Sequence, residues 1–428
     1  MAWEIGWKAM GHACVLALLA LAAPAISLAA SDRIVSTEAS FGVGGRGAVP
    51  LNGNLLYSNQ YIYGATSAGG IVIATDAMPD DGVVFRRPAV LDTPTAAYTL
   101  EILYIFSGAD GAHPNNSLIA DAHGNIYGTT RSGGAQNLGT VFKLTKPPLP
   151  STPWALTTLH SFTGSDGAYP AAGVTLGPDG ALYGTAQYGG ITRSLCIPPQ
   201  GCGTVFKIAA DGTFSILHVF TGAIDDGAGP ASNLVLDPTG IVIGLLTNEF
   251  GNELSGGLFA IRPDNSYVLV ASFPPNTGPP AGNIVRDGQG NVFGTLFSFQ
   301  ASDQASAGAA IFEVTAVTHK IHIVAQIVGE TSLSGVVRDA AGNFYGTTTG
   351  LDPSSHLHVG NGSVFVASPA GTVTILAPLP PANEAPSGGV VGDPAGNLWG
   401  TSTAGGALCP SIPNLSGCGT VFVVTPPP

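Results

Sequence analysis

The chain has 428 residues, of which 10% are charged, and a formal net charge of −13 from 27 Asp plus Glu against 14 Lys plus Arg. With no run of basic residues, it lacks the clustered cations that a nucleic-acid backbone or an anionic lipid surface demands, which excludes both as expected partners. Glycine (60) and proline (33) are abundant, yet 45% of residues are hydrophobic and fall in short runs between turn residues. That pattern indicates a many-stranded β protein rather than a disordered one.

Residues 1–30 read as a secretory signal peptide. Lys8 precedes an apolar run from Ala13 to Ala23, and Ala23-Pro24-Ala25 and Ser27-Leu28-Ala29 each offer a small-x-small cleavage site. Pro24 and the short apolar core weigh against an uncleaved membrane anchor. The expectation is a secreted bacterial protein, extracellular or periplasmic, with no membrane insertion after signal removal.

Residues 31–428 read as one domain built from seven repeats. Each pairs an aromatic-Gly-Thr phrase with a later Gly-Thr-Val-Phe phrase. The first phrase occurs as Tyr63-Gly64, Tyr127-Gly128-Thr129, Tyr183-Gly184-Thr185, Ile243-Gly244, Phe293-Gly294-Thr295, Tyr345-Gly346-Thr347 and Trp399-Gly400-Thr401. The second ends at Phe85, Phe142, Phe206, Phe259, Phe312, Phe365 and Phe422. A period of 50–64 residues marks an array in which each unit buries its apolar face against a neighbour.

The third repeat shows the unit: a short strand at 172–176, a Gly-Pro-Asp-Gly turn, a strand at 181–185, a glycine-rich loop, a strand at 203–208, an Asp211-Gly212 hairpin and a strand at 213–220. Four antiparallel strands per unit and seven units predict an all-β, seven-bladed β-propeller. The parallel β-helix, the structural rival, lacks such hairpins.

The chain ends sharpen the prediction. The seventh repeat stops at Gly419-Thr420-Val421-Phe422-Val423-Val424, its third strand, before a proline tail at 425–428. Residues 31–41, with Arg33–Phe41 as an unassigned strand, are expected to supply the missing fourth strand and close the ring, removing an exposed edge.

Four cysteines follow the signal. Cys196 and Cys202 lie before the Gly-Thr-Val-Phe phrase of the third repeat, and Cys409 and Cys418 hold the matching place in the seventh. Two local disulfides, Cys196–Cys202 and Cys409–Cys418, are expected over a four-thiolate zinc site, since no Cys-x-x-Cys knuckle is present.

The phrases Asp-x-x-Gly-Asn-hydrophobic-Tyr-Gly-Thr-Thr, Gly-Thr-Val-Phe-Lys and Leu-His-Ser-Phe-Thr-Gly-x-Asp-Gly-Ala-x-Pro resemble the GloVer repeat of bacterial secreted and surface proteins. Residues 121–145 and 155–208 carry the resemblance best, and the fourth and fifth repeats depart from it. The resemblance implies a repeat array on an exported bacterial protein and no established reaction. Many members of the family carry a C-terminal sorting anchor; Pro426-Pro427-Pro428 shows none, which favours a soluble exported form.

Candidate chemistry lies in the connections. The fourth-to-first and second-to-third connections open on one face of a propeller, and here they are the longer, more varied ones, which makes that face the expected binding face. Asp110, Asp166 and Asp226, each followed by Gly-Ala-x-Pro, are candidate ligand residues. Calcium is the one metal they suggest, but a dense Asp-x-Asp-x-Asp-Gly loop is absent and Asp-Gly is ordinary turn chemistry, so no cofactor is expected.

Arg286 and Arg338, each followed by Asp at the end of a first strand, are candidates for gripping an anion in the central channel, with an ion pair to Asp287 or Asp339 as the plainer reading. His160 and His218 recur at one repeat position and read as framework. The pairs His319/His322 and His356/His358 lack a third metal ligand nearby. The tyrosines of the first phrase read as inter-blade core. No catalytic residue is recognisable: Gly-x-Ser-x-Gly, His-Glu-x-x-His and Gly-x-x-x-x-Gly-Lys are all absent.

The expected function is therefore a non-enzymatic, monomeric binding or scaffold propeller, engaging polysaccharide or a surface protein. The alternatives are a propeller enzyme, a lyase or glycan-active one, with its site at the channel mouth, and a purely structural envelope protein.

Overall fold

A computed structural model describes residues 33–41, 50, 54–69, 81–91, 100–115, 117–190, 196, 201–247, 256–274, 277–299, 308–328, 333–349, 362–380, 386, 388–403, 405 and 418–426. These residues form seven antiparallel sheets of four strands each, a seven-bladed β-propeller as the repeats predict. In blade 2 the segment Ala112–Pro114 adds a short extra pairing to the second strand. Cys409, His356 and His358 lie outside the described residues.

The two phrases of the repeat are two halves of one contact. In blade 3, for example, Gly184 on the second strand pairs with Phe206 on the third. A Cβ placed on Gly64, Gly128, Gly184, Gly244, Gly294, Gly346 or Gly400 would lie under 3.0 Å from the ring of the phenylalanine paired with it. The phenyl ring lies on the bare glycine, so any side chain there displaces the ring from the core. In blades 2 and 6 the adjacent threonine reaches the next blade: Thr129 Oγ1 donates to the Ala172 carbonyl (2.8 Å) and Thr347 Oγ1 to the Gly388 carbonyl (2.8 Å), whereas Thr295 Oγ1 donates to the Ala281 carbonyl within blade 5 (2.6 Å).

The glycine that opens the second phrase makes the seam between blades. Gly82, Gly139, Gly203, Gly256, Gly362 and Gly419 all have positive φ, and a Cβ on any of them would lie 2.5–2.8 Å from Cδ of Pro114, Pro170, Pro230, Pro280, Pro386 and Pro50 respectively. Each proline belongs to the entry of the following blade. Blade 5 departs from the pattern, with Ala309 at the glycine position. Seven buried apolar clusters then fill the seven seams, one per pair of neighbouring blades.

Ring closure follows the same rules. Ile34–Ser40 pairs antiparallel with Thr420–Thr425, from Ile34 opposite Thr425 to Ser40 opposite Thr420. It carries a bulge between Thr37 and Ala39, and the blade 2 pairing of Ala155–Ser161 with Thr140–Thr145 has the same bulge between Thr158 and His160. The N-terminal strand is thus a true fourth strand. Phe41 at its end meets the Phe85 ring edge-on at 5.2 Å, as Phe106 meets Phe142 (5.2 Å) and Phe162 meets Phe206 (5.3 Å).

An ion pair locks the closing seam. Arg87 of blade 1, whose side chain is 1% exposed, holds the Glu38 carboxylate at 2.9 Å and lies 4.9 Å from the Trp399 ring. Removing one partner of such a pair leaves an uncompensated buried charge, which is far more costly than exchanging both.

The seam glycines yield a paired test. Gly203→Ala combines a φ of +97° with a clash on Pro230, whereas Gly212 has a φ of +90° and nothing within 4 Å of a new Cβ. Thermal or urea unfolding is expected to show Gly203→Ala losing about 2 kcal/mol or more and Gly212→Ala about 1 kcal/mol. Equal losses would show that seam packing contributes little beyond backbone strain.

Candidate functional site

The fourth-to-first and second-to-third connections meet on one face through backbone hydrogen bonds. Gly134 N donates to Gly108 O and Gly190 N to Gly164 O (both 2.8 Å), tying each connection to the loop of the following blade. His113 N donates to Asp81 O, Tyr169 N to Leu138 O and Gly229 N to Cys202 O (2.8, 2.8 and 2.9 Å), tying it also to the loop of the preceding blade. The connections into blades 2, 3 and 4 are therefore clamped on both sides, the last also through Thr247 N to Gly229 O (3.1 Å). The approach is close: a Cβ on Gly189 would meet the Gly167 carbonyl carbon at 2.5 Å.

The disulfide Cys196–Cys202 staples the loop of blade 3, with a Cα–Cα distance of 5.3 Å and both cysteines buried. Cys418 is also disulfide-bonded. The Cys202 carbonyl accepts the Gly229 bond, so the staple fixes an atom that positions the next connection.

Both oxygens of each candidate aspartate are engaged within its own turn. Asp110 accepts Ser107 N (2.9 Å) and the Tyr104 hydroxyl (2.5 Å). Asp166 accepts Thr163 N (2.8 Å) and His160 Nε2 (3.0 Å). Asp226 accepts Thr221 N and Oγ1 (2.7 and 2.5 Å) and His218 Nε2 (2.7 Å). Tyr104, His160 and His218 occupy one repeat position, and the two histidines stack on the next blade, His160 on Phe214 (3.6 Å) and His218 on Tyr267 (4.2 Å).

Charges at these turns respond to burial and hydrogen bonding together. Burial alone would raise the Asp226 carboxyl, but the bonds from His218 and Thr221 outweigh it and hold the group below its ordinary value. Burial pushes the His160 imidazole down, and this exceeds the opposing pull of Asp166. The 3.0 Å contact is thus best read as a neutral N–H donating to a carboxylate rather than as an ion pair.

The structure places Arg286 and Arg338 away from the expected ion pairs. Asp287 accepts Gln289 N, Asn291 N and Asn291 Nδ2, and Asp339 accepts Asn343 N, Asn343 Nδ2 and the Tyr345 hydroxyl. Arg338 instead lies 5.1 Å from the Phe293 ring and 5.6 Å from the Phe344 ring, filling the seam between blades 5 and 6. Arg286 lines a cavity between blades 4 and 5. The aspartates cap first-to-second-strand turns, and the aromatic of the first phrase adds to that cap, as with Tyr127 on Asp121 (3.0 Å) and Trp399 on Asp393 (2.8 Å).

The loop face also presents residues that sequence reasoning missed. His113 and Tyr169, each the variable residue of Asp-Gly-Ala-x-Pro, adopt left-handed backbone at φ 56° and 52°. Non-glycine residues rarely hold that conformation without support from their surroundings. Gly229, at φ 65° in the equivalent place, was the available signal. His113 is exposed and its Nδ1 lies 2.7 Å from Ser132 Oγ. Tyr169 and Tyr188 are both partly exposed and meet edge-on at 6.1 Å. Among the described residues, no group of three or more His, Cys, Asp or Glu is placed to hold a metal ion.

A family model, the Gloeobacter/Verrucomicrobia repeat, matches residues 26–259, more than half of the chain. The chain belongs to this repeat family. No curated protein matches it. Among solved structures it is similar to an oligogalacturonate lyase from Vibrio parahaemolyticus, with a TM-score of 0.55 at 10% identity, covering 92% of this chain and 97% of the lyase. It is also similar to a gluconolactonase from Xanthomonas campestris, with a TM-score of 0.41 at 11% identity, covering 96% of this chain and 93% of that one. At such identities the likeness concerns the propeller fold alone.

The depressed His160 titration has a consequence for stability. The folded protein binds this proton less readily than the unfolded chain, so this group's contribution to stability is fully present above the ordinary histidine value of 6.5 and is lost progressively as pH falls from there through the lower folded value. Melting temperature is expected to fall between pH 7.5 and pH 5.5, and His160→Phe is expected to flatten that fall. An identical pH dependence in the variant would contradict a neutral, stacked imidazole.

Proposed function

We propose that the protein is an exported, non-enzymatic binding propeller that holds polysaccharide on the clamped loop face. The Tyr169–Tyr188 pair carries this reading: two partly exposed rings meet edge-on, on loops whose backbones are locked from both sides. Aromatic faces on a rigid frame suit sugar rings, which offer apolar C–H faces and many hydroxyls but no charge to exploit. The scarcity of cations fits a neutral glycan better than a polyanion. The aspartates and histidines of the same connections are engaged in their own turns, which suits shape recognition more than proton transfer.

Export rests on residues 1–30 and on the Cys196–Cys202 disulfide, a bond that persists in oxidising compartments. No cofactor is required for recognition of this kind, and the protein is proposed to act as a monomer.

The test is retention of the mature protein on a polysaccharide panel, with and without calcium, with products measured alongside. Retention without products is expected, and Tyr188→Ala is expected to weaken it roughly tenfold. New reducing ends or unsaturated products would instead establish an enzyme. Retention unchanged by Tyr188→Ala would remove the loop-face tyrosines from the account.

A further inference from the structure

The seam between blades 4 and 5 is where the repeat phrase fails, and a cavity of about 310 Å³ opens there. Its composition follows from two substitutions. Position 243 holds isoleucine, whereas the other six blades place Tyr, Phe or Trp there. Its partner across the sheet is Ala260, whereas the tyrosines of blades 1 to 3 face Arg86, Lys143 and Lys207. In blades 2 and 3 the lysine lies 5.5 and 5.2 Å from the tyrosine ring. Blade 4 has neither the ring nor the long cationic side chain, so the space they fill elsewhere is vacant.

The walls of that space are apolar, formed by Ile243, Leu258, Val270, Val292 and Val314. Arg286 enters from blade 5, and its Nε is buried with no hydrogen-bond partner among the described residues. Arg262 and His319 also line the cavity, against Asp237 as its one carboxylate. Asp237 has its Oδ1 engaged by Thr239 N, Thr239 Oγ1 and Ile241 N (2.8, 2.7 and 2.9 Å). Burial alone would raise its carboxyl, but these bonds together with the Arg286 charge hold it below the ordinary value. In a chain of net charge −13 this is a local cationic surplus beside an apolar chamber. The Arg338 Nε at the same repeat position is likewise buried without a partner among the described residues, so what blade 4 adds is the apolar chamber that the Arg286 side chain lines.

We propose that the cavity between blades 4 and 5 binds a small amphipathic carboxylate, with its apolar body between the valines and its carboxylate on Arg286. Charge and shape agree: a guanidinium recognises a carboxylate through paired N–H donors, and the chamber accepts a body of aromatic or branched-chain size. The site lies at the first-to-second-strand turns of Asp237 and Gly290 and the third-to-fourth-strand turn of His319. These are not the connections that form the clamped loop face, so the proposal is independent of polysaccharide binding.

The test uses the full mature protein with 4-phenylbutyrate as the probe and 4-phenylbutanol as its neutral counterpart, followed by titration calorimetry and thermal shift. The wild type is expected to bind the acid more tightly than the alcohol. Arg286→Met is expected to weaken acid binding at least about tenfold while leaving the alcohol unchanged. Ile243→Tyr restores the aromatic of the other blades, whose hydroxyl can meet Asp237 as Tyr127 meets Asp121; it is expected to abolish binding of both probes while keeping or raising the melting temperature. No heat and no thermal shift from the acid with the wild type would overturn the proposal. So would binding that survives both substitutions, because the probe would then occupy another place.

Discussion

A phenyl ring resting on a bare glycine is the contact on which this propeller depends. It couples the second and third strands of every blade, and it explains why the two recurrent phrases always travel together. With the ring lying on glycine, the flanking residues take fixed roles. The aromatic before it joins the cap of its own turn, as Tyr183 does with Asp179, and in blades 2 and 6 the threonine after it, Thr129 or Thr347, donates to the following blade. The glycine opening the second phrase then meets a proline of that following blade. Each residue of the phrase therefore serves either the blade or the seam, which leaves little freedom for substitution.

The same economy separates framework from variation. The aspartates that look like a binding set in the sequence are bound up in their turns, with the framework histidines among their partners, because a clamped connection needs both oxygens of its aspartate. The exposed or partly exposed side chains of the face lie elsewhere, at the left-handed positions of His113 and Tyr169 and at Tyr188. Where the phrase itself lapses, in blade 4, the seam loses a ring and a cation at once and a chamber appears. Departures from an otherwise consistent repeat are where function is to be sought.

Much of the fold was legible because the repeat encodes short-range contacts. Strand order, the seven blades, the local disulfide of blade 3 and closure by Arg33–Phe41 all follow from comparing one repeat with the next. The arginines were harder. Arg338 adjoins Asp339 in sequence, so an ion pair was the natural expectation, yet Asp339 is occupied by Asn343 and Tyr345, and the guanidinium packs on rings of two blades. Arg87 likewise finds Glu38 across the closing seam, 49 residues away in sequence and on the neighbouring blade. Such partners are set by the angle between blades, which no single repeat specifies. The Tyr169–Tyr188 pair escaped for a related reason, since its rings belong to loops of different length in adjoining units.

Closure is the claim on which the ring stands, and native-state hydrogen exchange tests it most directly. Comparing the mature protein with a form lacking residues up to 41 follows the amides of Thr420–Thr425 and of residues 83–87, in the strands on either side of the closing seam. The account predicts that protection collapses in both segments and weakens outward through blades 6 and 2. Protection unchanged in Thr420–Thr425 would contradict it, and would mean that the last blade stands without its N-terminal strand.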